Sequence, residues 1–447
     1  MFELVLLFSR YLFIFYIVFY LYQGVVYVAE EQGGYIGNPQ YAVSIQRIII
    51  IFFHITAYLI LSYIPGEFRF NTRYLITGAG GLLFIILALN VTRIVYKKSC
   101  PLIWNSMIFL LDIGIVMLQR LKPALAEKQL IWAVFGVSVM LLIPTILKII
   151  PRFEMFEKLY IILSYALILS TLVFGSEEFG SVNWIKIGSI GFQPSEIVKF
   201  FFIFYLASVF RKRIELKQLI TTGVLSAGIV LLFVIQKDLG SCLIFFLTYM
   251  AMLYIATSNV FLFFAGMSCA SIASIIAYNL FSHVRVRVLA WRNPWADIDG
   301  GGYQIVQSLF AISTWGFLGS GLTKGMPESI PVVERDFIFS AICEEFGIIF
   351  AMGLVCIFIM IFFRGIKIAL RCERRYYSLL ASGITTMFAF QSFIIIGGVI
   401  KLIPMTGVTL PFVNYGGSSV VISIIMIGLL QWIESYYEIR SEEGADY

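Results

Sequence analysis

Several charged residues stand where they are costly to keep. Asp336, Ser340 and Glu344 are spaced by four where a polar segment enters a long apolar run, so on one helix they would form a single polar stripe. At a rise of about 1.5 Å per residue, Glu344 would lie about 12 Å deeper than Asp336. A carboxylate held in lipid costs at least ~2.5–3.5 kcal/mol, which makes such a group a candidate for proton transfer or cation binding. Asp336 taken alone also has a plainer and commoner use, as a helix cap or first-turn acid favoured by the macrodipole. In Gln193-Pro194-Ser195-Glu196-Ile197-Val198-Lys199 the proline suits a first helical turn, and Glu196 and Lys199 share a face three residues apart. They form either a structural ion pair or part of a phosphate site. Lys237 and Asp238 separate two apolar runs, which a tight polar turn explains as well as a direct role does.

A second set lies between 282 and 336. Arg285, Arg287 and Arg292, with Trp291 and Trp295, precede Gly300-Gly301-Gly302-Tyr303-Gln304 and Gln307-Ser308. Arginines and the amides of a glycine-rich turn can bind a diphosphate, and tryptophan faces stack on sugars. The same composition also suits an interfacial loop of aromatic and basic residues facing lipid headgroups.

The elements that must position these residues are transmembrane. Of 447 residues, 60% are hydrophobic and 13% charged, outside the range of soluble proteins. Apolar runs near the length of a bilayer span occur at Glu3–Val28, Arg47–Ile64, Leu75–Tyr96, Leu102–Leu118, Leu130–Ile150, Leu159–Phe174, Ile197–Phe210, Leu219–Ile235, Leu239–Thr257, Val260–Phe281, Phe337–Phe363, Tyr377–Ile400 and Phe412–Trp432. About thirteen spans imply an all-α polytopic transmembrane helical bundle, because a spanning segment must satisfy its own backbone. The first run is too long for a signal peptide, and Glu3 spoils a basic leader. The six cysteines are scattered and imply neither a disulfide framework nor a zinc site. A net charge of +6 says nothing of nucleic acid here, since the basic residues crowd into short loops.

Those loops set the orientation. Arg211-Lys212-Arg213, the stretch Arg364 to Arg375, Lys97-Lys98 and Lys148 to Lys158 are read as cytoplasmic. Gly175–Glu196, Ser282–Asp336 and Lys401–Leu410 then lie outside. Residues 1–99 form an extra N-terminal region of about three spans, with the N-terminus outside and Arg69 and Arg73 in an outer loop. Residues 100–437 form the core. The acidic stretch 438–447 reads as a short disordered cytoplasmic tail.

Taken together and in order, five motifs over about residues 102–437 resemble the SEDS family of shape, elongation, division and sporulation proteins, which includes FtsW, RodA and SpoVE. They are Asn183-Trp184-Ile185-Lys186-Ile187-Gly188 with Gln193-Pro194-Ser195-Glu196; Gln236–Gly240; Gly302-Tyr303-Gln304 with Gln307-Ser308; Asp336-Phe337-Ile338-Phe339 with Glu344-Glu345-Phe346-Gly347; and Leu410–Ser419. Lys237 stands where the family usually has proline, Asn414 where it usually has serine, and Thr323–Glu334 is a compact variant of the family's loop. Residues 1–99 match nothing in the usual ten-span core.

The resemblance implies a peptidoglycan glycosyltransferase in the bacterial plasma membrane, joining lipid II units at the outer face beside a class B penicillin-binding protein and releasing undecaprenyl diphosphate. The family's essential loop aspartate falls on Asp336. Transfer from an α-linked diphosphate to a β-1,4 strand inverts, so one base for the acceptor hydroxyl and positive charge for the leaving group suffice. Asp336 is expected as that base, and Lys199, Arg285 and Arg287 as cationic partners, with a divalent ion such as Mg or Mn as a possible helper. Further expected substrate contacts are Trp184, Gln193, Ser195, Glu196, Lys237, Asp238, Tyr303, Gln304, Gln307, Ser308, Thr406, Tyr415, Gly416, Gly417, Ser418 and Ser419. Glu344 and Glu345 are expected to organise the cavity from below. Two rival readings are a lipid II flippase, which discontinuous helices of an inverted repeat would favour, and a scaffold for a transpeptidase.

Overall fold

The computed structural model describes residues 2–31, 33, 38–64, 67, 69–150, 152–178, 181–188, 190–212 and 214–445; Arg213 of the basic loop and the last two residues of the acidic tail lie outside them. Three helices come first: α1 (Phe2–Glu31), α2 (Pro39–Ser62) and α3 (Thr72–Val95), with a small hairpin of β1 (Tyr63–Ile64) and β2 (Arg69–Phe70) between α2 and α3. The core continues with α4 (Pro101–Leu121), α5 (Pro123–Ile149) and α6 (Glu157–Phe174), and then an antiparallel meander of β3 (Ser176–Glu178), β4 (Ser181–Ile187) and β5 (Ile190–Phe192). Four helices follow, α7 (Pro194–Phe210), α8 (Leu216–Ile235), α9 (Leu239–Thr257) and α10 (Val260–Leu280). Two shorter ones, α11 (Ser282–Arg292) and α12 (Tyr303–Thr314), cover the large loop, and α13 (Ile338–Phe346), α14 (Ile348–Arg371), α15 (Arg375–Val399) and α16 (Gly417–Ala445) complete the bundle. Proline opens α2, α4, α5 and α7, where its missing N–H costs nothing.

Among the described residues, twelve helices are long and apolar enough to cross a membrane. The thirteenth expected span, Ile197–Phe210, is the 17-residue α7, shorter than these and packed among α6, α9, α15 and α16. Helix α4 is likewise almost wholly enclosed. Two expectations need correction. The run Phe337–Phe363 is not one helix: it breaks at Gly347 into α13 and α14. The acidic stretch expected to be disordered instead prolongs α16 through Ala445.

The N-terminal helices dock on the core through aromatic and polar contacts, which suits lipid, where apolar surface gives no drive for association. Helix α1 packs on α14, and α2 and α3 pack on α4. Phe13 meets Phe346 edge-on at 5.0 Å between centroids, and Phe53 stacks on Phe350 at 5.9 Å. Tyr20 Oη and Ser106 Oγ are 3.1 Å apart. The strongest link is buried: His54 Nδ1 and Asp112 Oδ1 lie 2.5 Å apart, while His54 Nε2 donates to the Gly78 carbonyl at 2.8 Å.

Ion pairs order the two ends. Glu3 reaches Lys324 of the large loop at 3.3 Å, and Glu31 reaches Lys367 at 2.8 Å. Arg73 pairs with Glu127 at 2.6 Å, which offsets its charge at the end expected outside. This geometry gives a direct topology test. In a background with the six native cysteines changed to serine, Arg73→Cys is expected to react with a membrane-impermeant maleimide in intact cells, and Asn38→Cys only after permeabilisation. The opposite labelling pattern would reverse the orientation.

Candidate active site

The three segments expected outside come together at one end of the bundle. They enclose a narrow polar slot of about 100 Å³. β4 and the start of α7 contribute Asn183, Trp184 and Gln193; the 236–238 turn contributes Lys237 and Asp238; the large loop contributes Arg287, Arg335 and Asp336. Thr406, Gly407 and Thr409 enter from the next loop, and Tyr415, Gly416, Ser418 and Ser419 close the far side at the start of α16. Of the sequence-predicted residues, Asp336, Arg287, Lys237, Asp238, Trp184, Gln193, Thr406, Tyr415, Gly416, Ser418 and Ser419 therefore share one wall-lined space.

The local folding of each wall is legible in its bonds. Val182 N donates to the Gln236 carbonyl at 3.1 Å, which fastens β4 to the 236–238 turn. Lys237 occupies that turn at φ 60°, a left-handed conformation closed to the proline usual there. Gly114 of α4 lets the 412–414 backbone lie directly on the helix, since a Cβ there would come within 2.5 Å of the Val413 carbonyl oxygen. Gln129 holds the same strand of chain, its Nε2 donating to the Asn414 carbonyl at 3.0 Å. Tyr415 N donates to the Glu334 carbonyl at 3.0 Å, and Lys122 pairs with Glu334 at 2.6 Å.

Two aspartates face the slot in opposite states. Asp238 is committed: it caps α9 through Ser241 N at 3.0 Å, and its Oδ2 accepts from Asn183 Nδ2 at 2.7 Å and from Ser241 Oγ at 2.9 Å. Asp336 has no hydrogen-bond partner for its carboxylate among the described residues, and it does not cap α13, whose N-cap is Phe337. The capping reading of Asp336 is thus corrected by the geometry. Enclosure pushes its carboxyl up to about 6, against the opposing pull of Arg287 and Arg335 and with a smaller upward push from Glu334. Arg335 lies over the Trp184 ring at 5.5 Å, and Arg287 donates to the Thr406 carbonyl at 3.2 Å.

Other expected residues fall elsewhere. Glu344 and Glu345 do not continue a stripe from Asp336, because Asp336 precedes the helix. Glu344 Oε1 accepts from Met326 N at 2.7 Å, and Glu345 pairs with Arg120 at 2.9 Å, so both brace the loop upstream of Asp336. Arg285 turns back to the Asn279 carbonyl at 2.9 Å. Ser308 meets Ser340 Oγ at 2.6 Å and the Val399 carbonyl at 3.2 Å, joining α12, α13 and α15. Tyr303 lies 3.5 Å from the Ser329 carbonyl, Gln304 is exposed and Gln307 half-buried on α12, and Gly417 packs under Trp132. The triple-glycine turn is organised by Asp297, whose Oδ2 accepts from Gly301 N at 2.8 Å.

Lys199 and Glu196 form a buried pair at 2.8 Å behind the slot. Lys199 also donates to Gln391 Oε1 at 3.0 Å, Gln391 donates to the Thr409 carbonyl at 2.7 Å, and Thr409 and Ser419 hydroxyls are 2.8 Å apart. The pair supports the wall rather than entering it; Ser195 beside it is buried. Sequence reasoning missed Arg335, Thr409, Gln391 and Arg120 as parts of this assembly. Arg120 and Lys122 carried a signal all the same, being polar residues just past the end of an apolar run, as did Gln391, a polar residue inside one. No group of three His, Cys, Asp or Glu side chains is gathered for a metal among the described residues.

Residues 102–439 match the family model for FtsW/RodA/SpoVE cell cycle proteins. The peptidoglycan glycosyltransferase RodA of Mycobacterium tuberculosis is 31% identical over 365 residues, covering 74% of this chain and 76% of that protein. Stage V sporulation protein E of Bacillus subtilis is 31% identical over 363 residues, covering 76% and 98%. A chain from the structure of a peptidoglycan synthase complex superposes with a TM-score of 0.63 at 24% identity, over 76% of this chain and 99% of that one. RodA of Thermus thermophilus gives 0.54 at 22%, over 76% and 97%.

The buried pair yields a double-mutant test. Removing one member strands the other charge, at a cost of about 3–5 kcal/mol, whereas replacing both removes that penalty. Lys199→Met is expected to lower the thermal midpoint of the purified protein more than the Glu196→Gln/Lys199→Met double substitution does. A larger loss in the double variant would contradict the pairing.

Proposed function

The chain belongs to the FtsW/RodA/SpoVE family of cell cycle proteins, and on that premise we propose that it is a peptidoglycan glycosyltransferase that polymerises lipid II at the membrane face carrying Asp336. The observation that carries the assignment is the contrast between two aspartates in one slot. Asp238 has its oxygens filled, while Asp336 is open, partly exposed to the slot and close to cationic side chains. A carboxylate whose oxygens are filled with hydrogen bonds serves the structure, and one left open beside cations is available for chemistry.

In the proposed reaction Asp336 accepts the proton of the acceptor sugar's 4-hydroxyl as that oxygen attacks the donor's anomeric carbon from the face opposite the diphosphate. The new C1–O bond forms, the C1–O–phosphate bond breaks, and undecaprenyl diphosphate leaves with the electron pair. Arg287, Lys237 and Arg335 supply positive charge beside the departing group. A divalent ion such as Mg or Mn carried on the diphosphate would add positive charge at the leaving group and leave Asp336 free as the base. The slot holds only the reacting atoms at about 100 Å³, so sugar rings require it to widen.

The hydrocarbon chain has a neighbouring place. An apolar cavity of about 260 Å³ lies between α14, α15 and α16, lined by Phe358, Phe388, Ile396 and Phe412 among others. Exposed Ile359, Phe393 and Leu402 at its edge leave it open sideways. The 400–416 segment borders both spaces, with Leu402 and Phe412 on one side and Thr406 and Tyr415 on the other. A class B penicillin-binding protein as cross-linking partner is part of the proposal, and the likeness to a chain of a peptidoglycan synthase complex supports it.

Asp336→Asn is expected to abolish glycan polymer formed from labelled lipid II by purified protein while leaving the thermal midpoint within a few degrees of wild type; near-normal polymer would sink the assignment. The base must be ionised, so kcat/KM is expected to fall about tenfold per pH unit below about 6 and to level off above it. Arg287 pulls that carboxyl down, so Arg287→Gln is expected to move the acid limb to higher pH. An unmoved limb would mean that another group titrates.

A further inference from the structure

At the end opposite Asp336, the N-terminal helices and the core enclose a cleft of about 500 Å³ bounded by α1, α2, α3 and the start of α4. Arg93 and Lys98 line it beside Tyr27, Gln40 and Trp104. Arg47 lies on the same face of α2 as Gln40 and Val43, one to two turns deeper. Its Nε donates to Asn105 Oδ1 at 3.3 Å, but its Nη2 is buried with no hydrogen-bond partner among the described residues. Arg93 is near enough to repel it.

The acid on the rim cannot neutralise this charge. Glu31 is already bound by Lys367 at 2.8 Å, by Arg364, and by Arg371 at 3.6 Å. Arg47 and Arg93 thus put two like charges close together, a repulsion that a bound anion relieves. The cleft also sits where α1, α2 and α3 end, at the level of Tyr27, Tyr96 and Trp104. Aromatic rings of this kind mark the headgroup zone, and basic pockets between helices at that depth suit phosphate groups.

We propose that this cleft binds the phosphate headgroup of an anionic phospholipid, with Arg93 on the phosphate oxygens and the buried charge of Arg47 behind it, and that the bound lipid fastens the N-terminal helices to the core. Guanidinium forks match phosphate oxygens two at a time, and a cleft of this size accommodates a phosphoglycerol headgroup. The lipid bridges α2 and α3 at the point where Asn105 of α4 already holds Arg47.

The test uses the full chain purified in a neutral detergent. Phosphatidylglycerol is expected to raise the thermal midpoint by several degrees, and phosphatidylcholine or inorganic phosphate not to do so. Arg93 is exposed, so Arg93→Gln tests the site without endangering the fold. That variant and Arg47→Gln/Arg93→Gln are expected to lose the increment and to retain fewer anionic lipids in native mass spectrometry. Lys158→Gln, at the same end but away from the cleft, is expected to keep the full response. An undiminished response in Arg93→Gln, or an equal loss in Lys158→Gln, would overturn the site. Stabilisation by inorganic phosphate as large as that by phosphatidylglycerol would overturn its assignment to a lipid.

Discussion

The site depends on one close crossing of two backbones. Gly319 and Gly347 both have positive φ, 71° and 89°, and a Cβ at Gly319 would lie 2.4 Å from Gly347 N. Any larger residue at either position would hold the loop away from the helix break. The crossing lets the loop donate to the free end of α13: Ser320 N bonds the Glu344 carbonyl at 2.7 Å, and Gly321 N bonds that of Glu345 at 2.9 Å. Carbonyls that a helix end leaves unpaired in a low-dielectric setting are thereby satisfied. Arg120 then ties Glu345 to Glu328 and to the Gly325 carbonyl, and the chain reaches Asp336 from a braced start.

That bracing matters to the proposed chemistry, because a general base must be held in place without being consumed by its supports. Asp336 is positioned by backbone: its N donates to the Val332 carbonyl at 3.3 Å, and the neighbouring Glu334 carbonyl accepts from Tyr415 N. Its carboxylate is left open to the slot. Asp238 shows the alternative, a carboxylate whose hydrogen bonds hold β4 and α9 together at the cost of its availability. The cations are likewise divided. Lys199 is spent on Glu196 and Gln391 behind the wall, whereas Arg287 and Lys237 line the slot.

Much of this could be read from sequence, for identifiable reasons. Span positions follow from length and hydropathy, so the bundle was legible almost throughout. The convergence of three outer segments followed from alternating topology, and Asp336 from its place in a motif. The stripe through Ser340 and Glu344 failed because it presumed a continuous helix beginning at Asp336; the break needs Gly319, 28 residues away from Gly347, and no local pattern announces that partner. Arg285 and Arg287 are two apart, so a helix points them in different directions, and α11 was not anticipated as a helix. The buried pair of His54 and Asp112 joins positions 58 residues apart, which no local pattern announces.

The N-terminal helices, which precede the stretch matched by the family model, bear on the same crossing from its other side. Phe13 and Phe53 pack on Phe346, the last residue of α13, and Phe53 also stacks on Phe350 at the start of α14. Gly321 lies against the Arg10 side chain, and Glu3 reaches Lys324. Helix α1 therefore grips the break from the membrane side while Arg120 grips it from the core. Its other end is fixed by Glu31 among the cations of α14. A helix anchored at both ends along α14 limits tilting of that helix at Gly347, and through the Gly319 contact such tilting would carry the loop bearing Asp336 with it. The added helices thus bear on the one joint from which the loop carrying Asp336 is hung.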